Sequence, residues 1–277
     1  MRQSREEPIN HRDLGALEGA VLLFGGPYSN LQATEALLRS WQGACTHAIC
    51  TGDFVAYGGD PAATVAAVRA FGCPVVAGNC EKQLAQDAED CGCGFDAGSA
   101  CDVLSGAWYA HARGQISEAD RAWMAGRPDI VSFTHHGARY GVIHGGFSDI
   151  SRFIWSTTAD DVLMAEWDLI DRAIGPVDHV IAGHSGLPFE RQMARGRWIN
   201  AGVIGMPPHD GMSQTRYALL DAGQVAFHAL EYDAGAACDA MERAGLTQGY
   251  HRALLTGYWP SEDILPEALR VSSLAKG

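Results

Sequence analysis

"VLLFGGPYSNLQATEALL", Val21 to Leu38, is the stretch whose reading decides the fold. An apolar run stops at Gly-Gly-Pro, and apolar positions at helical spacing follow at Leu31, Thr34, Leu37, Leu38 and Trp41. Residues 19–24 therefore read as a buried strand and 30–41 as a helix, joined by a tight turn. Such turns often hold chemistry in α/β enzymes, yet this one carries no charged group.

The same alternation continues outward. THAIC (46–50) is a second short strand, 60–72 a helix with Asp60 as N-cap, Pro61 at its first position and Gly72 as its stop, and CPVVAG (73–78) a third strand. Strands alternating with helices imply a parallel sheet with right-handed crossovers. Residues 88–102, rich in Gly, Cys and Asp, read as a loop, and 116–126 as a helix with Ser117 and Asp120 fitting a capping box. Residues 129–134 and 139–144 form a hairpin around His135-His136-Gly137. An amphipathic helix at 159–174 leads to a buried strand at 177–183, then shorter strands at 188–192, 196–201, 215–221 and 224–231, and helical stretches near 235–245 and 262–270. The second half looks antiparallel. The order predicts α/β architecture, a four-layer α-β-β-α sandwich, in one domain over 1–277: a core at about 19–231 and a C-terminal helical extension at 232–277.

The totals narrow the function. With 277 residues, 47% of them hydrophobic, the chain can bury a sizeable core. No apolar run reaches the roughly 18 residues of a membrane span. The opening MRQSREEPINHRD lacks the apolar segment of a secretion signal, so a cytoplasmic protein with no membrane partner is expected. A net charge of −13 argues against non-specific nucleic-acid binding, since phosphates would be repelled over most of the surface. Eight cysteines (45, 50, 73, 80, 91, 93, 101 and 238) are expected as reduced thiols in that compartment.

Strand after strand ends in a short polar signature: Thr51-Gly52-Asp53, Gly78-Asn79-Cys80-Glu81, His144-Gly145-Gly146 and Gly183-His184-Ser185-Gly186. Parallel sheets gather ligand-binding groups at the carboxyl ends of their strands. Asp53, Asn79, His144 and His184 can therefore converge, and one carboxylate, one amide oxygen and two imidazoles suit a divalent ion such as Mn, Fe or Zn. Singly, each signature reads as a turn residue or a satisfied core histidine; their shared position after strands carries the argument.

Taken in order, these segments resemble the calcineurin-like metallophosphoesterases, whose pattern runs D-x-H, G-D, G-N-H-[DE], a His after a strand, then G-H-x-H. TGDFVAYGGDP, VVAGNCE, VIHGGFSD and VIAGHSGLPF look like the last four, and WINAGVIGMPPHDG (198–211) like the loop that follows. The resemblance spans about residues 19–231 and implies a metal-dependent phosphoesterase, similar to the small bacterial phosphodiesterases. FGGPYSNLQA stands where the family has D-x-H-G-N-L: Asn30 and Leu31 match, but Gly26 replaces the metal-binding Asp and Tyr28 its partner His. Gly186 replaces the last His. In the family those three groups hold one metal, with the G-D aspartate bridging to the other. Carried over, the first site loses its three own ligands, and the second keeps Asp53, Asn79, His144 and His184.

The resemblance thus implies one divalent metal (Mn, Fe or Zn), a small phosphorylated molecule as partner, and cleavage of a phosphomonoester or phosphodiester by metal-activated water. The alternative is a weak or inactive pseudoenzyme that binds a nucleotide, a phosphate ligand or a protein. Candidate catalytic side chains are Tyr28, either a hydrogen-bond donor to phosphate or a filler of vacated volume; Cys80, where most members carry a His that aids the leaving group; and His209, where relatives often have Arg, or else a surface residue. His135 and His136 read as hairpin residues. Cys91, Cys93 and Cys101, with Cys80 upstream, read as free thiols, a metal site or a labile disulfide, and their loop as a lid. The tryptophans read as packing.

Overall fold

The alternation within one strand, β2 (Val21–Phe24), divides the molecule. In the computed structural model, which describes residues 9–41 and 46–271, Val21 and Leu23 face one apolar cluster and Leu22 and Phe24 another, all four fully buried. Cys45, most of the leader reading and the last residues of the C-terminal extension lie outside the described residues.

β2 sits in a four-stranded sheet of order β10-β9-β2-β3, with β3 (His47–Cys50) parallel to it and β9 (Thr215–Asp221) and β10 (Gln224–Leu230) antiparallel. A six-stranded sheet has the order β1-β4-β5-β6-β8-β7. It is built from β1 (His11–Ala16), β4 (Ile130–His135), β5 (Ala138–Val142), β6 (His179–Ala182), β7 (Phe189–Gln192) and β8 (Arg197–Asn200). Between the sheets lie Val21, Leu23, Ile49, Phe133, Ile181 and Ile199. Outside the four-stranded sheet pack α1 (Leu31–Trp41), α2 (Pro61–Phe71), α4 (Ala100–Gln115), α7 (Ala234–Arg243) and α8 (Tyr250–Thr256), with the shorter α3 (Asn79–Ala85) and α5 (Glu118–Ala125). On the outer face of the other sheet, α6 (Asp160–Ile174) buries Leu163, Trp167 and Ile170 against Val180 and Trp198. These are the four layers of an α-β-β-α sandwich.

Local chemistry explains the boundaries. Asn30 caps α1, its Oδ1 accepting the Ala33 N–H at 3.0 Å. Gly72 ends α2 in the left-handed region, as expected, but the Asp60 carboxylate makes no cap and instead accepts from Gln32 at 3.3 Å. Ser117 Oγ caps α5 by accepting the Asp120 N–H at 3.2 Å. The hairpin turns between β4 and β5 (His136-Gly137) and between β9 and β10 (Ala222-Gly223) each place two residues at positive φ, the two-residue geometry that follows strand twist.

Several expectations are corrected. Segment 73–78 makes one parallel bridge, Val75 to Cys50, rather than a strand, because it bends toward Gly78 and opens α3. Helix α4 begins inside the expected 88–102 loop; its buried stripe runs through Cys101, Ser105, Trp108, Tyr109 and Ala112, and starts with residues that do not register as apolar. The helix expected at 262–270 is a single 3-10 turn, Glu267–Leu269, since Pro266 breaks it. The second half is mixed rather than antiparallel: β5 and β8 both run parallel to β6. No helix among the described residues is long and apolar enough to cross a membrane.

Candidate metal centre

The four strand-tip residues do meet. Asp53 and Asn79 follow the four-stranded sheet, and His144 and His184 follow β5 and β6 of the other, so each sheet contributes two. All four are buried. Ligand atoms of Asp53, His144 and His184 lie within 4.8 Å of one another. His144 Nε2 is 3.1 Å from Asp53 Oδ2, 3.1 Å from Asn79 Oδ1 and 3.1 Å from His184 Nδ1.

Which atoms carry protons follows from their other partners. His144 Nδ1 is 2.7 Å from the Thr51 carbonyl and His184 Nε2 is 3.0 Å from the Ser151 carbonyl. A carbonyl only accepts, so each of those nitrogens holds its ring's proton and turns the lone pair of the other inward. Asn79 Nδ2 donates to the Cys91 carbonyl at 2.9 Å, which fixes Oδ1 toward the cluster. With neutral rings, four acceptors thus converge on one buried point with no donor among them. Such an arrangement is repulsive unless a positive charge sits there, a cation or a second proton on His144. Burial opposes charging His144, yet Asp53 lifts it above the ordinary histidine range; burial holds His184 below it. Burial works against the Asp53 carboxylate too, but the two imidazoles bring it well below the usual range. The donor set fits a borderline divalent ion.

The backbone is bent to make this meeting. Asp53 and His184 both occupy the left-handed region, at φ 55 and 61. Gly52, at φ 99, passes so close to its neighbours that a Cβ would lie 2.8 Å from the Val76 carbonyl and 2.9 Å from His144 Nδ1. Glu81, fully buried, accepts the N–H groups of Asp53 (2.7 Å), Gly78 (2.9 Å) and Val55 (3.3 Å), tying α3 to the Asp53 turn. Burial and then the Asp53 charge push its carboxyl up to about 8, against the pull of those donors. The sequence contained Glu81 only as the last letter of a motif. Nothing in the sequence marked Phe153, whose ring lies 4.4 Å from that of His184, or the Thr51 and Ser151 carbonyls.

The place of the missing aspartate is packed, while Gly186 borders a small cavity. A Cβ on Gly26 would lie 2.5 Å from Val203 Cγ1 and 2.7 Å from the Tyr28 ring, at a φ of 43. Tyr28 is buried, edge-on to Tyr57 at 4.9 Å, and fills that volume. With Phe153, His184, Gly186, Val203 and Trp259 it walls a cavity of about 30 Å³. Burial, and then Asp53, raise the Tyr28 hydroxyl well above the ordinary range, so it stays protonated.

Of the other candidates, Cys80 stands beside the four acceptors, its main-chain N–H 3.4 Å from Asp53 Oδ1. Cys80 Sγ lies 3.5 Å from Asn79 Nδ2 and 4.0 Å from Cys93 Sγ; burial and the charges of Asp53 and Glu81 drive its thiol up. His209 is buried, which corrects the surface reading: its Nδ1 accepts the Trp259 N–H at 2.8 Å and its Nε2 faces Glu262 at 2.8 Å. His135 is a hairpin residue bound to the Gly19 carbonyl at 2.9 Å. Cys91 and Cys93 are joined as a disulfide, against the expectation of free thiols, because the turn at Gly92 brings their Cα atoms to 5.3 Å; Cys80 and Cys101 are unpaired.

A search of curated protein sequences returns no match. Among solved structures, a metallophosphoesterase from Sphaerobacter thermophilus superposes with a TM-score of 0.67 at 20% identity, covering 87% of this chain and all of the other. The hypothetical protein PH1004 from Pyrococcus horikoshii OT3 gives 0.70 at 15% identity, covering 87% of this chain and 98% of that one. At these identities the likeness is one of fold. The profile of the calcineurin-like phosphoesterase superfamily domain matches residues 27–224, well over half of the sequence, and the chain belongs to that superfamily.

Proposed function

We propose that the protein is a phosphoric ester hydrolase that works with one divalent cation, Mn, Fe or Zn, held by Asp53, Asn79, His144 and His184. The observation that carries this reading is the convergence of four buried acceptors, three of them oriented by hydrogen bonds their own side chains make elsewhere. A cation bound there supplies an acidified water and polarises a phosphoryl oxygen. The chain's own residues prepare the place. The Thr51 and Ser151 carbonyls hold both imidazoles in the ligating tautomer, Glu81 fixes the Asp53 turn, and Phe153 shields one side of His184. Tyr28, protonated on the cavity wall, is the donor available to a phosphate oxygen. The substrate is a small phosphorylated molecule, a monoester or diester.

One observation favours the second reading, a pseudoenzyme that binds a phosphate ligand or partner without turnover. Val203 and the Tyr28 ring crowd Gly26, where two-metal relatives carry a ligand of their other ion, and loss of that ion removes half of a charge clamp worth several kcal/mol. Two measurements separate the readings. Elemental analysis is expected to find one equivalent of metal, lost in His144→Ala and His184→Ala. Hydrolysis of bis-p-nitrophenyl phosphate with added Mn²⁺ is expected to exceed that of His184→Ala by at least about 100-fold. Equal rates would leave the pseudoenzyme.

A further inference from the structure

Behind the amide of Asn79 lie three sulfur atoms. The Cys91–Cys93 disulfide spans a single glycine, and the Cys80 thiol stands 4.0 Å from Cys93 Sγ. This loop touches the groups that orient two of the four converging side chains. On one side Asn79 Nδ2 donates to the Cys91 carbonyl at 2.9 Å and to Cys93 Sγ at 3.4 Å. On the other, Ser151 Oγ donates to the Gly92 carbonyl while the Ser151 carbonyl accepts from His184 Nε2 at 3.0 Å. Gly92 is further pinned through its N–H to Asp90 at 2.8 Å. Cys91 and Cys93 are themselves buried, at 4% and 7% exposure, but exposed Glu89, Asp90 and Gly94 flank them, so a local opening of this surface loop brings the disulfide to a thiol from solution.

We propose that Cys91–Cys93 is a redox modification site, reduced by a dithiol, whose state sets the orientation of Asn79 and with it the affinity of the centre for its cation. The inference rests on the proposed function for its last step. In the reaction one sulfur of the dithiol attacks the pair, forms a mixed disulfide and expels the other cysteine as a thiolate; its second sulfur then displaces the first. Two electrons pass to the protein, two protons end on Cys91 and Cys93, and the dithiol leaves as a disulfide. Opening the small ring frees the Cys91 carbonyl and Gly92, the two acceptors that brace Asn79 and Ser151. A ligand that loses such support binds metal about 10- to 100-fold less tightly.

The test uses the full chain. Peptide mapping of air-oxidised protein is expected to find Cys91 joined to Cys93, and a phosphine reductant to open that bond. Calorimetric titration with Mn²⁺ is expected to show at least about tenfold weaker binding after reduction. The Cys91→Ser/Cys93→Ser double variant is expected to bind Mn²⁺ as the reduced protein does and to ignore the reductant; Cys238→Ser keeps the response. Cys91 and Cys93 found unpaired, or equal Mn²⁺ affinity in the two states, would overturn the proposal. If neither state binds Mn²⁺, the metal reading fails on its own. The Asn79 side-chain amide signal in NMR then decides: a shift on reduction supports the redox site, and no shift overturns it.

Discussion

Two ring nitrogens face each other at 3.1 Å with their protons turned away to the Thr51 and Ser151 carbonyls, and buried side chains hold the turns around them. Glu81 is the strongest case. Its carboxyl oxygens are the acceptors for three buried N–H groups, and removing them leaves each without a partner at about 1–3 kcal/mol apiece. Glu81→Ala is expected to lower stability by about 3 kcal/mol or more, measured by urea unfolding; an unchanged midpoint would mean the loop repacks. Gly26 carries the converse lesson. Restoring the family's aspartate there sets a Cβ against Val203 and the Tyr28 ring at positive φ. Gly26→Asp is expected to cost about 2 kcal/mol or more and to add no second equivalent of metal, read by thermal unfolding and elemental analysis.

Strands β6 and β8 show how an element can depend on one proton. His179 Nδ1 accepts the Arg197 main-chain N–H across the pair at 3.1 Å, so the bond exists only while that nitrogen is unprotonated. Burial, and then the Arg197 charge, hold His179 below the ordinary histidine range. The unfolded chain therefore binds more protons than the folded one just below the unfolded value of about 6.5, and this contribution to stability is lost as pH falls through that region. An NMR titration is expected to place His179 below 6.5; a value at or above it would count against the cross-strand bond. The strands were legible in the sequence because Val21–Phe24 and His179–Ala182 are short apolar runs closed by glycine-bearing turns. The cluster was legible because three of its residues follow strand ends and the fourth, Asn79, follows the segment bridged to β3 at Val75. β1 was not: His11–Ala16 is a polar edge strand, recognisable only once β4 lies beside it. Nor was α4, which buries Cys101 and Ser105 where an apolar period would place leucines. The plugged socket was half legible, since the losses at Gly26 and Gly186 are in the sequence but Val203, 177 positions beyond Gly26, is not near them.

Across the molecule, the segment after β10 returns to close the cavity. Trp259 donates its main-chain N–H to His209 at 2.8 Å and its indole N–H to the Pro207 carbonyl at 2.7 Å, while Glu262 faces His209. His209→Ala removes two of these contacts and leaves the Trp259 N–H unpaired. The expected result is a loss of about 1–3 kcal/mol and freer access of acrylamide to tryptophan fluorescence, with Mn²⁺ affinity unchanged. A fall in that affinity would move His209 into the metal centre.

The pairwise origin of the four acceptors, two from each sheet, has a mechanical side. An ion shared among them is a rivet through the sandwich, joining layers that also meet through Val21, Leu23, Ile181 and their apolar neighbours. Saturating Mn²⁺, at 100 times its dissociation constant, adds about 2.7 kcal/mol against unfolding. Amide exchange should slow in β3 and in β6 together, although no hydrogen bond links those strands.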